Sequence, residues 1–140
     1  MKKTKRTALS WDPAGKERVS DLKFALRDEA GKEMSNGALF KLCLGYGFQA
    51  RFKGELPPKN SDAVRLSYLQ PADFAMFRAV AMRETKNPEV ILEEDEVLDI
   101  VERYAAGGLS LLVAALDSES DFQQWLTSVL WKVLDKAKSD

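Results

Sequence analysis

The sequence predicts an all-α protein: a single compact domain of five or six helices, with room for a short extended segment near the N-terminus. Three observations lead there. Apolar residues recur at spacings of three and four through most of the chain. Glycine and proline clusters punctuate that pattern at helix-length intervals. The 140 residues, 45% apolar and 31% charged, suffice for one buried core and are too apolar for disorder. The expected division is a basic N-terminal segment, 1–15, followed by a helical domain, 16–140.

Taken in order, Thr7 to Trp11 suit an extended conformation, and Asp12-Pro13 is a helix entry, because Asp caps and Pro at the first position loses no needed hydrogen bond. A helix is expected over about 16–30, where Val19, Leu22, Leu26 and Ala30 share a face and Gly31 stops it. Ser35-Asn36-Gly37 resets the chain and caps a second helix, about 37–48. Its run of Leu39, Phe40, Leu42, Cys43, Leu44, Tyr46 and Phe48, with Lys41 the only charge, is apolar on nearly every side. Such a helix is buried or clasped by a partner. Gly45 and Gly47 either end it or admit another helix. Cys43 reads as a buried, unreactive thiol.

The stretch 53–63, with Gly54, Pro57, Pro58 and Asn60, is the clearest loop, and Val64, Leu66 and Tyr68 alternate like a short strand. Pro71 opens a third helix, about 71–85, which Asn87-Pro88 terminates. A fourth begins near Glu94, with Val97, Ile100, Val101 and Tyr104 on its face. Gly107-Gly108 is expected to break or kink it before a short fifth helix carrying Leu109, Leu112, Val113 and Leu116. Ser118, with Asp121 three residues on, resembles a capping box for a last helix, about 119–137. That helix bears a wide stripe of Phe122, Trp125, Leu126, Val129, Leu130, Val133 and Leu134.

Composition removes much chemistry. With no histidine there is no Ser-His or Cys-His couple, and a lone cysteine excludes an intrachain disulfide and a cysteine-rich zinc site. No apolar run reaches 18 residues, and the start MKKTKRTALSWDP lacks the apolar stretch of a signal peptide; a soluble, cytoplasmic chain with no membrane partner is expected. Consecutive acids Glu93 to Glu96 point in different directions on a helix and cannot form one magnesium shell. At a helix start they offset the dipole instead. Glu84-Thr85-Lys86 has a nuclease-like spacing but falls at a helix end. Gly107-Gly108 and Gly45-Tyr46-Gly47 lack the context of phosphate-binding loops. No catalytic residue, metal ligand or cofactor is expected.

Charge is segregated. Residues 1–56 carry 12 Lys/Arg against 7 acids, a balance of +5, and residues 57–140 carry 9 against 15, a balance of −6. The basic half is the candidate DNA-binding surface: Lys2, Lys3, Lys5, Arg6, Lys16, Arg18, Lys23 and Arg27. Solvated faces of amphipathic helices are the plainer reading of the same residues. Trp131, off the main face of the last helix, is the candidate partner-binding residue, with shielding by the N-terminal segment as the alternative. The order strand, helix, turn, helix over 6–48 also matches a dimeric ribbon-helix-helix regulator, with Arg6, Ala8 and Ser10, or Thr7 and Leu9, facing the bases. That module leaves the last ninety or so residues unexplained.

Three stretches carry a family resemblance: Ala38-Leu39-Phe40-Lys41-Leu42-Cys43-Leu44-Gly45-Tyr46-Gly47-Phe48; Ala79-Val80-Ala81 through Asn87-Pro88-Glu89-Val90-Ile91-Leu92; and Glu102-Arg103-Tyr104-Ala105-Ala106-Gly107-Gly108-Leu109. Over about 20–116 the chain resembles the small Dnd system-associated proteins, which accompany bacterial DNA phosphorothioation genes and their coupled restriction machinery. The N-terminal half is, more weakly, similar to DndE, a small helical component of the sulfur-modification system. The resemblance implies a non-enzymatic accessory subunit in antiviral defence, with DNA, protein subunits of a defence complex or both as partners, and it transfers no catalytic residue. Two alternatives stand beside it: the ribbon-helix-helix homodimer and a helical adaptor that binds only protein.

Overall fold

The computed structural model describes residues 3–59 and 62–139. Strand β1 (Ala8–Ser10) leads into two short helices, α1 (Pro13–Lys16) and α2 (Val19–Ala25), and then α3 (Asn36–Ala50). Strand β2 (Asp62–Arg65) and a 3-10 turn (Leu66–Tyr68) precede α4 (Pro71–Thr85). A second 3-10 turn (Pro88–Leu92), α5 (Glu94–Ser118) and α6 (Phe122–Ser139) complete the order. The fold is thus mainly helical, with six α-helices and one small antiparallel sheet among the described residues.

Helix α5 is the axis. Its Leu98, Val101, Leu109 and Leu112 are fully or almost fully buried, and α3 and α4 both pack on it. Around it lie Leu39, Phe40 and Leu44 from α3, Phe77 from α4, Leu22 from α2, and Leu9 from β1. Residues 9–11 join this same core: Leu9 is 0% exposed, and Trp11, 3% exposed, sits against Phe40 with ring centroids 5.6 Å apart.

Several expectations need correction. The helix expected over 16–30 is two pieces, parted at Glu17-Arg18. The Asp12 carboxylate caps α1 by accepting from the Gly15 amide, and Gly15 lies so close to Leu109 that a Cβ would fall 2.4 Å from its Cδ2. Helix α2 stops before Ala30 because Asp28 competes for the backbone: its carboxylate accepts from Lys32 N at 2.8 Å, and its own N–H donates to the Lys32 carbonyl. Gly107-Gly108 does not break a helix; α5 runs unbroken from Glu94 to Ser118.

Gly108 serves the crossing with α3, and Gly107 admits the Phe52 backbone just beyond that helix. A Cβ on Gly108 would lie 1.8 Å from the Cys43 carbonyl oxygen, and one on Gly47 would lie 2.0 Å from the Tyr104 carbonyl oxygen. Gly45 and Gly47 likewise do not end α3, which continues to Ala50 before Arg51 turns left-handed at φ 56°. At the start of α6 the residue that caps is Asp121, which accepts from Gln124 N. Ser118 instead donates back to the Ala114 carbonyl.

Sheet pairing bears on the ribbon-helix-helix alternative. β1 pairs antiparallel with β2 of the same chain, Ala8 opposite Arg65 and Leu9 opposite Val64. Leu9 and Ser10 are buried, so they do not face a groove of DNA.

Candidate functional site

The eight basic residues named from the sequence differ in their surroundings where they are described. Lys2 lies outside the described residues. Lys3, Lys5 and Lys16 are exposed, with no carboxylate within salt-bridge reach among the described residues. Arg6 is drawn inward. Its guanidinium lies 2.5 Å from a Glu102 oxygen and 3.2 Å from Asp99, and only 14% of its side chain is exposed. Arg18 makes a two-pronged contact with Asp117 at 2.9 and 2.6 Å and a third with Asp21 at 2.9 Å. The hydrogen bonds to Asp117, and then to Asp21, hold the guanidinium above its ordinary pKa. Arg27 lies over the Phe24 ring, 3.8 Å from its centroid. Lys23 is half-buried at the edge of a cleft.

Glu102 was not singled out as a site residue from the sequence, yet among the described residues it is a fully buried charge. Its side chain is 0% exposed. One oxygen accepts from the Ser10 amide at 2.5 Å and meets Arg6; the other accepts from Lys59 Nζ at 2.9 Å, and Lys59 also reaches Asp99 at 3.0 Å. The signal was present in the periodicity. Leu98, Glu102, Ala105 and Leu109 lie four, three and four residues apart, which is one helix face, so a carboxylate in that series must find cations. A second cluster joins α4 to α5. Glu84 accepts from Lys53 Nζ at 2.6 Å and from the Tyr104 hydroxyl. The Lys53 hydrogen bond holds Glu84 below the usual carboxylate range, whereas burial, followed by the Glu84 contact, pushes the Tyr104 phenol up.

Trp131 is 57% exposed, beside Leu130 at 45%. The near half of α6 is anchored. Phe122 and Leu126 are buried, Trp125 stacks on Phe122 and meets Tyr46 edge-on, and Gln123 Nε2 donates to the Ala25 carbonyl at 2.6 Å. Between α3 and α6 runs a groove of about 260 Å³ lined by Leu42, Gly45, Tyr46, Leu126, Val129 and Leu130. Cys43 is buried within α3, and loss of solvent pushes its thiol up to about 12, so little thiolate forms at neutral pH. Among the described residues no three acids or cysteines are grouped to hold a metal ion, and no helix is long and apolar enough to cross a membrane.

The profile of one family, described as DNA sulphur modification system-associated protein 4, matches residues 26–140. The chain belongs to this family. The family name ties the chain to a DNA sulphur modification system, in agreement with the resemblance read from the three stretches above. The matched region holds α3 to α6 entire, with the apolar groove and Trp131; of the eight basic residues it includes only Arg27. No curated protein and no solved structure gives a match.

Proposed function

We propose that this protein is a non-catalytic accessory component of a bacterial DNA phosphorothioation-linked defence system, working in the cytoplasm by docking on a partner subunit through the far half of α6. The observation that carries this reading is Trp131, 57% exposed next to Leu130 on a helix whose near half is firmly packed. Tryptophan is among the residues most enriched in interface hot spots, and the neighbouring Leu130 lines an apolar groove shared with α3. The absent histidines and the buried Cys43 thiol support the non-catalytic part.

The test is co-expression with the products of adjacent modification and restriction genes, followed by affinity purification. A partner should co-purify with the wild type, and the Leu130→Ala/Trp131→Ala double variant should bind it about 30-fold or more weakly, the effect of losing a hot spot of about 2 kcal/mol. Equal recovery with both proteins overturns the reading.

A second reading, contact with duplex DNA through the first half of the chain, is favoured by the uncompensated Lys3, Lys5 and Lys16. Anisotropy with plain and phosphorothioated duplexes across a salt series tests it. The logarithm of the affinity should fall linearly with log salt, and the slope should shrink when these lysines are replaced by alanine.

A further inference from the structure

A cleft bounded by α2, α3, strand β2 and the start of α4 has the makings of a ligand site. Its volume is about 610 Å³, within the range of small-molecule pockets. It is assembled from four parts of the chain: Lys23 on α2, the first turn and Lys41 of α3, strand β2 with Arg65, and Tyr68 with the start of α4.

Five charged side chains line it. Lys41 is paired with Asp73 at 3.1 Å, and Asp73 also accepts from the Gln70 amide at 2.9 Å, so these two charges satisfy each other. Asp62 stands at the beginning of β2. Lys23 and Arg65 have no carboxylate within salt-bridge reach among the described residues, which leaves the lining with a net positive charge and two cations available to an anion. Beside them Tyr68 is 72% exposed, the most open of the large apolar side chains. The 3-10 turn that bears it is held by β2 and by the Leu66 amide, which donates to the Thr7 carbonyl at 2.9 Å.

Two free cations beside an aromatic face on a supported turn make a surface for one chemical class: a phosphate joined to a flat ring. We propose that this cleft binds a nucleotide unit of single-stranded DNA, with its phosphate against Lys23 and Arg65 and its base on Tyr68. Duplex DNA fits the arrangement poorly, because a paired base has both faces covered by its neighbours and cannot stack on a lone tyrosine. The proposal stands apart from the docking reading, since none of these residues lies on α6.

The test is anisotropy with a labelled single-stranded oligonucleotide and with a duplex of the same sequence, using the full chain. The single strand should bind more tightly than the duplex. Tyr68→Ala should weaken single-strand binding by about 5- to 150-fold, the loss expected for one base–aromatic stack, while Tyr68→Phe keeps it within about 3-fold. Lys23→Ala/Arg65→Ala should weaken it and lower the slope of log affinity against log salt by about 0.7, the change expected for one phosphate contact on a single strand. Arg65 and Tyr68 are exposed, and circular dichroism of each variant verifies that the fold is kept. Equal affinity for duplex and single strand, wild-type binding by the cleft variants, or no binding at low salt each overturns the proposal. So does displacement of the strand by an equimolar free mononucleotide, which would reassign the cleft to the free compound. Because the docking test reads partner recovery through Trp131, either idea can fail alone.

Discussion

Glu102 shows how much one side chain can hold. It lies in the interior with Arg6, the Ser10 amide and Lys59 turned toward its two oxygens, so strand β1 and the 53–59 loop both end on it. Replacing it by alanine leaves the Ser10 amide without its acceptor and leaves Arg6 and Lys59 to share Asp99 alone. Breaking a buried pair from one side costs about 3–5 kcal/mol, and urea denaturation of Glu102→Ala should show a loss of that size. Glu102→Gln, which still offers an oxygen to the Ser10 amide, should lose less; equal losses would mean that the charge, and not the acceptor oxygen, is what matters there. Periodicity made this residue's burial legible, because it shares a face with Leu98 and Leu109. Its partners were not legible, since nothing local relates position 102 to 6, 10 or 59. The same holds for Arg6, which looks like a base reader in a basic tail and is in fact consumed within the fold.

Among elements, the crossing of α3 and α5 separates glycines that look alike in sequence. A Cβ at Gly108 would meet the Cys43 carbonyl at 1.8 Å, whereas one at Gly45 has nothing within 4 Å. Gly45→Ala should therefore stabilise the protein by about 0.5–1 kcal/mol through helix propensity. Gly108→Ala should destabilise it by about 1–3 kcal/mol or more as the helices are forced apart. Thermal melts of the two variants should move in opposite directions. Sequence punctuation read Gly107-Gly108 as a stop because it registers backbone freedom and is blind to a helix approaching from another part of the chain. Where the signals are local, the reading succeeded: α4 begins at Pro71 and ends at Thr85, as its proline, face and following Asn-Pro required. Its start also carries a pH response. Asp73 closes a capping box with Gln70, and the Gln70 amide, followed by Lys41, holds its carboxyl below the usual range. A group more acidic folded than unfolded stabilises fully above its unfolded pKa, about 4, and loses that contribution as pH falls through the folded value. The stability gap between wild type and Asp73→Asn should thus be widest near pH 6 and narrow toward pH 3, as read from urea midpoints.

For the whole molecule, four of the twelve cations in the basic half pair with carboxylates of the acidic half. Arg6 finds Asp99 and Glu102, Arg18 finds Asp117, Lys41 finds Asp73, and Lys53 finds Glu84. Segregation along the chain was legible; that folding would cancel part of it was not, because charge counts carry no topology. The fold class was legible from periods and breaks. The cationic cleft was not, since it gathers segments from four separate places. Residues 9–11 also belong to the core, so a chain lacking residues 1–11 forfeits buried Leu9 and Trp11. It should lose at least about 4 kcal/mol, measured by denaturant titration, while removal of residues 1–3 should leave stability unchanged. The bond from the Ser10 amide to Glu102 spans 92 positions, and this separation has a meaning in time. At about 5–20 residues per second, a growing chain waits on the order of 5 to 20 seconds between making its first strand and making the carboxylate that receives it. Until α5 is made, strand β1 lacks the helix it packs against and its Ser10 amide lacks its acceptor. The end that was synthesised first therefore waits for its completion, and the assembly of the newborn protein is closed from the later end back.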